Sequence, residues 1–224
     1  MECGLLIETS THVCSAGIYC NGKLAAHKII ESETYVHAES LLPCIQEVIQ
    51  LANVMTTDLD AVVIGEGPGS YTGLRIGTSL AKGICMGLGI PLYAVDSGKM
   101  FAAYGKREFP EKKCFVSFSD AGRMEVYMAV YDENLNCLSE HQPVILEETF
   151  FHQVELGDAV FVGDGVLKAS HWLLDTQRLL VAQADVKMIS LVMDTVLLEP
   201  RNTAEFVPRY VKTYQPGIAK NKLG

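Results

Sequence analysis

The sequence has few positive charges and lacks the histidine spacings of common metal sites. Eighteen lysine and arginine residues face 27 aspartates and glutamates, which gives a formal net charge of −9 at pH 7. A general nucleic-acid binder presents a basic surface, so this balance argues against that class. None of the six histidines forms an HxxH, HxxxH or HExxH pair. We therefore expect no bound metal and no metallopeptidase activity.

CxxC pairs and long apolar runs are also missing. Seven cysteines, an odd number with no CxxC spacing, predict reduced and mostly buried thiols, which is typical of the cytoplasm. No signal peptide is expected, because Glu2 and Glu8 bracket the first apolar run. The charge-free run over 83–95 has 13 residues, which is too short for a membrane-spanning helix.

Positive charge collects at the end of the sequence. Residues 201–224 carry a net charge of +4, so the remainder carries −13. A short basic tail is either a solvated chain end or a contact for RNA or an acidic partner.

The most informative stretch runs over 61–89, where an apolar strand pattern leads into the glycine-rich loop 67–73 and a helical pattern over 74–88. Such a loop can present backbone N–H groups to a phosphate at a helix N-terminus. Its glycines can equally provide a sharp turn and let the helix lie close to the sheet. The Walker A lysine is absent, since Leu74 follows Gly73, and neither the dinucleotide pattern nor the serine-hydrolase elbow fits. Both interpretations stay open at this point.

Two helices are predicted in this half of the sequence. Apolar residues at helical spacing predict an amphipathic helix over 36–52. The helix after the loop carries a stripe of small residues at every fourth position, namely Gly73, Gly77, Ala81, Cys85 and Gly89. Glycine inside a helix is less favourable than alanine by about 1 kcal/mol. The stripe therefore predicts close approach by either the chain's own sheet or another subunit.

An internal repeat organises the sequence. AVVIGEG at 61–67 matches AVFVGDG at 159–165, and the first strands align with Glu8 opposite Asp120. Each first strand is followed by a predicted hairpin, and the first hairpin turns at Asn21-Gly22. Strands alternate with helices, so the chain is predicted to be a duplicated α/β protein. We place the first lobe at 1–105, and the second lobe with the C-terminal tail at 106–224.

Two such halves, each opening on a strand that ends in an acid, form the layout of actin-like and hexokinase-like ATPases. In those proteins the lobes face each other across a nucleotide cleft. The segment GEGPGSYTGLRIGTSLAKG at 65–83 resembles the signature of the TsaB, or YeaZ, family. Further segments resemble the same family at 7–10, 37–43, 120–127 and 208–212.

The resemblance implies a role in making threonylcarbamoyladenosine, the modified base beside the tRNA anticodon. In that system a TsaD-type paralogue is the catalytic subunit, and a small ATPase of the TsaE type joins the complex. We therefore expect a non-catalytic scaffold subunit with both partners, which pairs with itself when alone. Contact with tRNA is expected only through the complex, and no membrane is involved.

The resemblance also places the partner interface on the helices of the first half. Arg75 in this region either pairs with an acid such as Glu66 or serves a partner or an anion. The candidate interface residues are His37, Leu41, Ile45, Arg75, Gly77, Ala81 and Cys85.

The nucleotide cleft is expected to be a remnant. Where the family usually has Asp-Thr-Ser, this first strand ends in Glu8-Thr9-Ser10, and the extra methylene moves the carboxylate by about 1 Å. We therefore expect no catalytic residue, no cofactor and no ATP binding by the isolated subunit. The alternative is a small-molecule kinase or ATPase that uses this cleft. The candidate cleft residues are Glu8, Thr9, Gly67, Gly69, Ser70, Thr72, Gly73 and Asp120.

Overall fold

The computed structural model describes residues 1–32, 36–148, 157–172 and 178–212. Their strands form two mixed β-sheets. The first has the strand order β11-β5-β4-β1-β2-β3 and the second the order β10-β9-β6-β7-β8. The strands of the first sheet are β1 (Cys3–Glu8), β2 (Val13–Cys20), β3 (Lys23–Glu31), β4 (Ala61–Gly67), β5 (Leu92–Asp96) and β11 (Pro200–Arg201). Those of the second are β6 (Cys114–Asp120), β7 (Glu125–Asp132), β8 (Cys137–Ile145), β9 (Val160–Gly163) and β10 (Arg178–Val181).

The helices lie on and between these sheets. They are α1 (His37–Leu51), α2 (Tyr71–Leu88), α3 (Ser97–Glu108) and α4 (Val186–Met193), with short 3₁₀ turns at Thr56–Asp58 and Val166–Ala169. Within the described residues, no helix is both long and apolar enough to cross a membrane.

The predicted duplication is confirmed by strand pairing. β1 pairs antiparallel with β2 and parallel with β4, and β6 pairs in the same way with β7 and β9. The outer strands β5 and β10 extend the two parallel sets. Strands β1–β5 therefore correspond to β6–β10 in order and direction. This is the predicted duplicated actin-like α/β fold. The boundary at 105/106 falls inside α3 and stays a prediction.

The sequence pattern does not predict helix α3, which covers Ser97–Glu108. The Asp96 side chain caps α3 by accepting the Lys99 backbone N–H at 2.8 Å. One apolar cluster contains residues of both sheets and of α3, including Leu6, Phe101 and Phe115. The two lobes therefore share a hydrophobic core through this helix.

Helix α2 begins at Tyr71, earlier than the predicted start at 74. The side chain of Ser70 caps the helix, because its Oγ accepts the Gly73 N–H at 3.2 Å. Part of the glycine-rich loop is therefore the first turn of α2.

Four of the five small residues of the predicted stripe face the chain's own sheet, whereas Gly89 follows the helix as an exposed C-cap. A Cβ added at Gly73 would overlap the carbonyl oxygen of Thr9, and one at Gly77 would overlap the Thr9 hydroxyl. Ala81 and Cys85 are buried in the apolar cluster between α1, α2 and the first sheet. Of the two alternatives for this stripe, the described residues support close packing on the sheet.

Two glycine substitutions on α2 test this packing. Gly73→Ala places a methyl group against a backbone carbonyl, so we expect the free energy of unfolding to fall by roughly 1–3 kcal/mol. Gly83→Ala, at an open position of the same helix, should raise it by about 1 kcal/mol through helix propensity. Urea denaturation measures both changes. Equal effects at the two positions would contradict the close approach.

Candidate functional site

A cavity of about 480 Å³ lies between the two lobes. The first lobe contributes the residues after β1 and the loop before α2, and the second lobe contributes the ends of β6 and β9. Its lining includes Ser10, Thr11, His12, Gly69, Ser70, Tyr71, Thr72, Asp120, Ala121, Gly122, Tyr127 and Asp164. The internal repeat predicts a cleft at this position, because it brings the ends of equivalent strands together.

Four of the eight candidate cleft residues line the cavity, namely Gly69, Ser70, Thr72 and Asp120. The other four, Glu8, Thr9, Gly67 and Gly73, are buried within the first lobe. The cleft residues are therefore divided between the cavity wall and the layer beneath it.

The glycine-rich loop is bonded to the end of β1. The Ser70 N–H donates to the Ser10 carbonyl at 2.6 Å, and the Gly73 N–H donates to Ser70 Oγ. A Cβ added at Gly69 would overlap the same Ser10 carbonyl. Two N–H groups that a phosphate-binding loop would offer to an anion are thus already used. The geometry favours the turn-and-packing interpretation of these glycines.

Glu8 is fully buried beneath the cavity. Its Oε1 accepts the Ser10 N–H at 2.5 Å, and its Oε2 occupies the space that a side chain at Gly65 would need. Burial raises the pKa of Glu8 to about 7, against the lowering effect of its hydrogen bonds with Ser10. Because the carboxyl group points into the protein, Glu8 does not face Asp120 across the cavity as a metal or acid–base pair would.

The second lobe contributes two linked aspartates to the cavity. The Asp120 carboxylate accepts a hydrogen bond from Lys168 Nζ at 2.6 Å. The backbone N–H of Asp120 donates to Asp164 Oδ1 at 2.8 Å. Burial raises the pKa of Asp164 to about 7. Among the described residues, no group of three or more histidine, cysteine or acidic side chains is arranged to hold a metal ion.

A network of ion pairs beside this cavity joins the C-terminal segment to both lobes. Glu66 at the end of β4 binds Arg201 at 3.1 Å and Arg209 at 2.8 Å. Arg209 also lies 3.4 Å from Asp96 and 3.2 Å from Glu140 of the second lobe. Burial lowers the pKa of Arg209, but the three acids raise it overall above its ordinary value. The segment 200–212 is therefore held as a strap across the lobes.

The strap changes the interpretation of the basic tail. Its described cations are paired inside the molecule, including Lys212 with Glu125, so this part is not a free solvated end. Lys220 and Lys222 lie outside the described residues.

Asp96 is the centre of a buried polar cluster that the sequence did not indicate. His141 Nε2 lies 2.9 Å from one Asp96 oxygen, and the Tyr131 hydroxyl donates to the other at 2.7 Å. Burial alone raises the pKa of Asp96, but His141, Arg209 and Tyr131 lower it overall. Tyr131 and His141 lie on neighbouring strands of the second lobe, whereas Asp96 ends β5 of the first, so only the folded chain brings them together.

Arg75 does not pair with Glu66, so that alternative is wrong. Its Nη1 donates to the Tyr71 hydroxyl at 3.3 Å, and its guanidinium lies 5.3 Å from the centre of that ring. Tyr71 in turn packs on Tyr210 of the strap, with 5.0 Å between ring centres. Arg75 is exposed on the surface of α2.

The other candidate interface residues are buried within the chain. They are His37, Leu41, Ile45, Gly77, Ala81 and Cys85. His37 lies 3.2 Å from the Val13 carbonyl, and the rest pack on the first sheet or against Thr9. Their assignment to a partner surface is wrong, because apolar and small residues at helical spacing face the core.

Comparisons with known proteins identify the family of this chain. The family model for TsaD, tRNA N6-adenosine threonylcarbamoyltransferase, matches residues 31–155. The TsaB protein of Escherichia coli K12 is 32% identical over 166 residues, which cover 72% of this chain and 71% of that protein. The chain belongs to the TsaB family, within the TsaD-like superfamily.

A further relative supports the family assignment, and a solved structure shows the fold. TsaB of Bacillus subtilis 168 is 32% identical over 142 residues, or 62% of this chain and 59% of that protein. The solved structure of YeaZ from Pseudomonas aeruginosa superposes with a TM-score of 0.77 at 22% identity, covering 94% of this chain and 100% of that one. The fold of the family therefore extends over nearly the whole chain.

The buried Glu8 predicts a dependence of stability on pH. Its pKa is about 7 in the folded protein against an ordinary value of 4.5, so the folded state favours the protonated form. Relative to Glu8→Gln, the native protein should lose stability as pH rises from 4.5 to 7, on the order of 3 kcal/mol in total. Urea denaturation of both proteins across this range measures the difference. If the free energies of unfolding of the two proteins ran parallel over this pH range, the raised pKa of the buried Glu8 carboxyl would be contradicted.

The strap predicts a difference between two arginines. Arg209→Ala leaves Asp96 and Glu140 without this partner, and we expect a loss of about 2 kcal/mol, since Arg209 is partly exposed. Arg107→Ala removes an exposed pair with Glu108 and should change stability by less than about 0.5 kcal/mol. Thermal and urea unfolding compare the two variants. A similar small effect for both would contradict a structural role of the strap.

Proposed function

We propose that this chain is a non-catalytic accessory subunit in the formation of threonylcarbamoyladenosine in tRNA. Its curated relatives are named tRNA threonylcarbamoyladenosine biosynthesis proteins, and the matching family model describes the threonylcarbamoyltransferase itself. The subunit would act by binding a TsaD-type catalytic paralogue. A TsaE-type ATPase would join the same cytoplasmic complex, and tRNA would contact this chain only through it.

The proposal that the subunit is non-catalytic is supported by the internal hydrogen bonds of the glycine-rich loop. The N–H groups of Ser70 and Gly73 are bonded inside the first lobe, and the Glu8 carboxyl points away from the cavity. The described cavity lining supplies two aspartates and no lysine or arginine side chain. Binding a triphosphate there would require these groups to exchange internal bonds for ligand contacts. The kinase or ATPase alternative is therefore disfavoured.

The outer face of α2 is the surface that we assign to a partner. Ser79, Gly83 and Gly87 lie on successive turns of this face and are exposed. A Cβ added at either glycine meets no atom within 4 Å, so another backbone could approach closely there. Met86 between them is 69% exposed. Small residues around an exposed apolar side chain suit a protein partner better than solvent.

The outer surface of α1 extends this apolar character. Leu42 and Leu51 lie within α1 and are 50% and 62% exposed, and Met55 follows the helix at 66% exposed. Exposed apolar side chains of this size add to a protein-binding surface because burial against a partner removes them from water. The proposed surface would serve both the TsaD-type partner and self-pairing.

A charge on the outer face of α2 tests the proposed role. Gly83→Glu should leave the fold intact, since the position is open, but should abolish association with the TsaD-type subunit by burying an unpaired carboxylate. Size-exclusion chromatography with light scattering measures the complex, and circular dichroism checks folding.

The matched control is Glu133→Lys, a charge change at an exposed turn of the second lobe. It should leave association unchanged. If folded Gly83→Glu protein binds the partner as tightly as the native chain, the surface assignment is wrong.

A further inference from the structure

Two cysteines face each other where β1 begins and β2 ends. Cys3 and Cys20 are directly opposite in the antiparallel register. The Cys3 N–H donates to Asp60 Oδ2 at 3.1 Å, and the Cys3 carbonyl accepts the Asp60 N–H at 2.9 Å. Both backbone groups of Cys3 therefore point away from β2. The hydrogen bond between the two strands in this region is made by the next pair of residues, from the Asn21 N–H to the Glu2 carbonyl at 3.0 Å.

Cys3 and Cys20 thus occupy a non-hydrogen-bonded pair of the ladder. In such pairs the Cα atoms lie about 4.5 Å apart and the side chains approach most closely. Disulfides need Cα atoms about 4.4–6.8 Å apart, so the backbone already satisfies this requirement. Both side chains lie against the same apolar cluster, on one face of the sheet.

The other described cysteines do not lie in a partly buried, directly opposed pair of this kind. Cys14 lies near Cys44, but both are buried in the core. Cys114 lies opposite Asp132, and the exposed Cys137 lies opposite Tyr131. Among the described residues, only Cys3 and Cys20 are two cysteines directly opposite each other in a ladder, and Cys20 is only partly buried.

We propose that Cys3 and Cys20 are a redox modification site, which closes to an intrachain disulfide by exchange with a low-molecular-weight disulfide of the glutathione type. The oxidised small molecule is reduced to two thiols, and the two cysteines lose their protons and one electron each to form one S–S bond. The bond links the first strand of the chain to the hairpin beside it.

The exchange proceeds in two steps. The Cys20 thiolate attacks one sulfur of the small disulfide, which breaks that S–S bond and releases one small thiolate. The Cys3 sulfur then attacks the mixed disulfide at Cys20, and the second small thiolate leaves with the Cys3 proton. Burial, the contact with Cys20 and the nearby Asp60 and Asp58 raise the pKa of Cys3 to about 12, so Cys3 acts second, where contact compensates for its low reactivity.

Peptide mapping of the full chain tests the site. The folded protein is incubated with a series of glutathione redox buffers, and the remaining thiols are blocked with N-ethylmaleimide. Cleavage after Glu2, Glu8 and Lys23 separates Cys3 from the peptide that holds Cys14 and Cys20. We expect peptides 3–8 and 9–23 joined by one disulfide, with Cys14 alkylated, and release of the link by dithiothreitol.

Variants and stability give the controls. Cys14→Ser should keep the link, Cys20→Ser should abolish it, and Cys3→Ser should leave Cys20 as a mixed disulfide with glutathione. Closing residues 3–20 into a loop should raise the urea midpoint of the oxidised protein, and this shift should disappear in Cys3→Ser. Recovery of Cys3 as an alkylated thiol beside a stable mixed disulfide at Cys20, or a link from Cys20 to Cys14, would overturn the proposal.

Discussion

The close approach of α2 to the end of β1 is the constraint on which the rest of the structure depends. The carbonyls of Thr9 and Ser10 occupy the space where side chains at Gly73 and Gly69 would lie. The Ser10 carbonyl also accepts a hydrogen bond from the Ser70 N–H. The contact that positions the helix therefore uses one of the N–H donors of the loop. Because the inner face of α2 packs on the sheet in this way, only its outer face is exposed. The geometry of the glycine-rich loop therefore favours packing over phosphate binding.

A second constraint is electrostatic and acts between the lobes. Glu66 and Asp96 lie at the ends of neighbouring parallel strands, and Arg209 of the strap reaches both as well as Glu140 of the second lobe. Partly buried acids of this kind need a cation, since an unpaired charge there is unfavourable. The basic residues near the end of the chain thus help to fix how the lobes meet. The shared apolar core around α3 acts in the same direction.

The sequence predicts the strands, the hairpin turn and the duplication, because these depend on local alternation and on the AVVIGEG and AVFVGDG match. It does not predict which way a side chain points, so Glu8 and the six buried interface candidates were assigned to surfaces that they do not reach. The pair between Glu66 and Arg209 spans 143 positions and has no local signal. Helix α3 was missed for a related reason, since its first turn depends on the Asp96 cap and on packing between both sheets.

We propose that this chain supports tRNA modification through its outer surface rather than through chemistry in the inter-lobe cavity. The most direct test reconstitutes the reaction with a TsaD-type subunit and measures threonylcarbamoyladenosine in digested tRNA by mass spectrometry. Asp120→Asn removes the charge of a carboxylate that lines the cavity. The account predicts near-native product with this variant. A folded, partner-binding Asp120→Asn protein that forms no product would contradict it and indicate catalysis in the cavity.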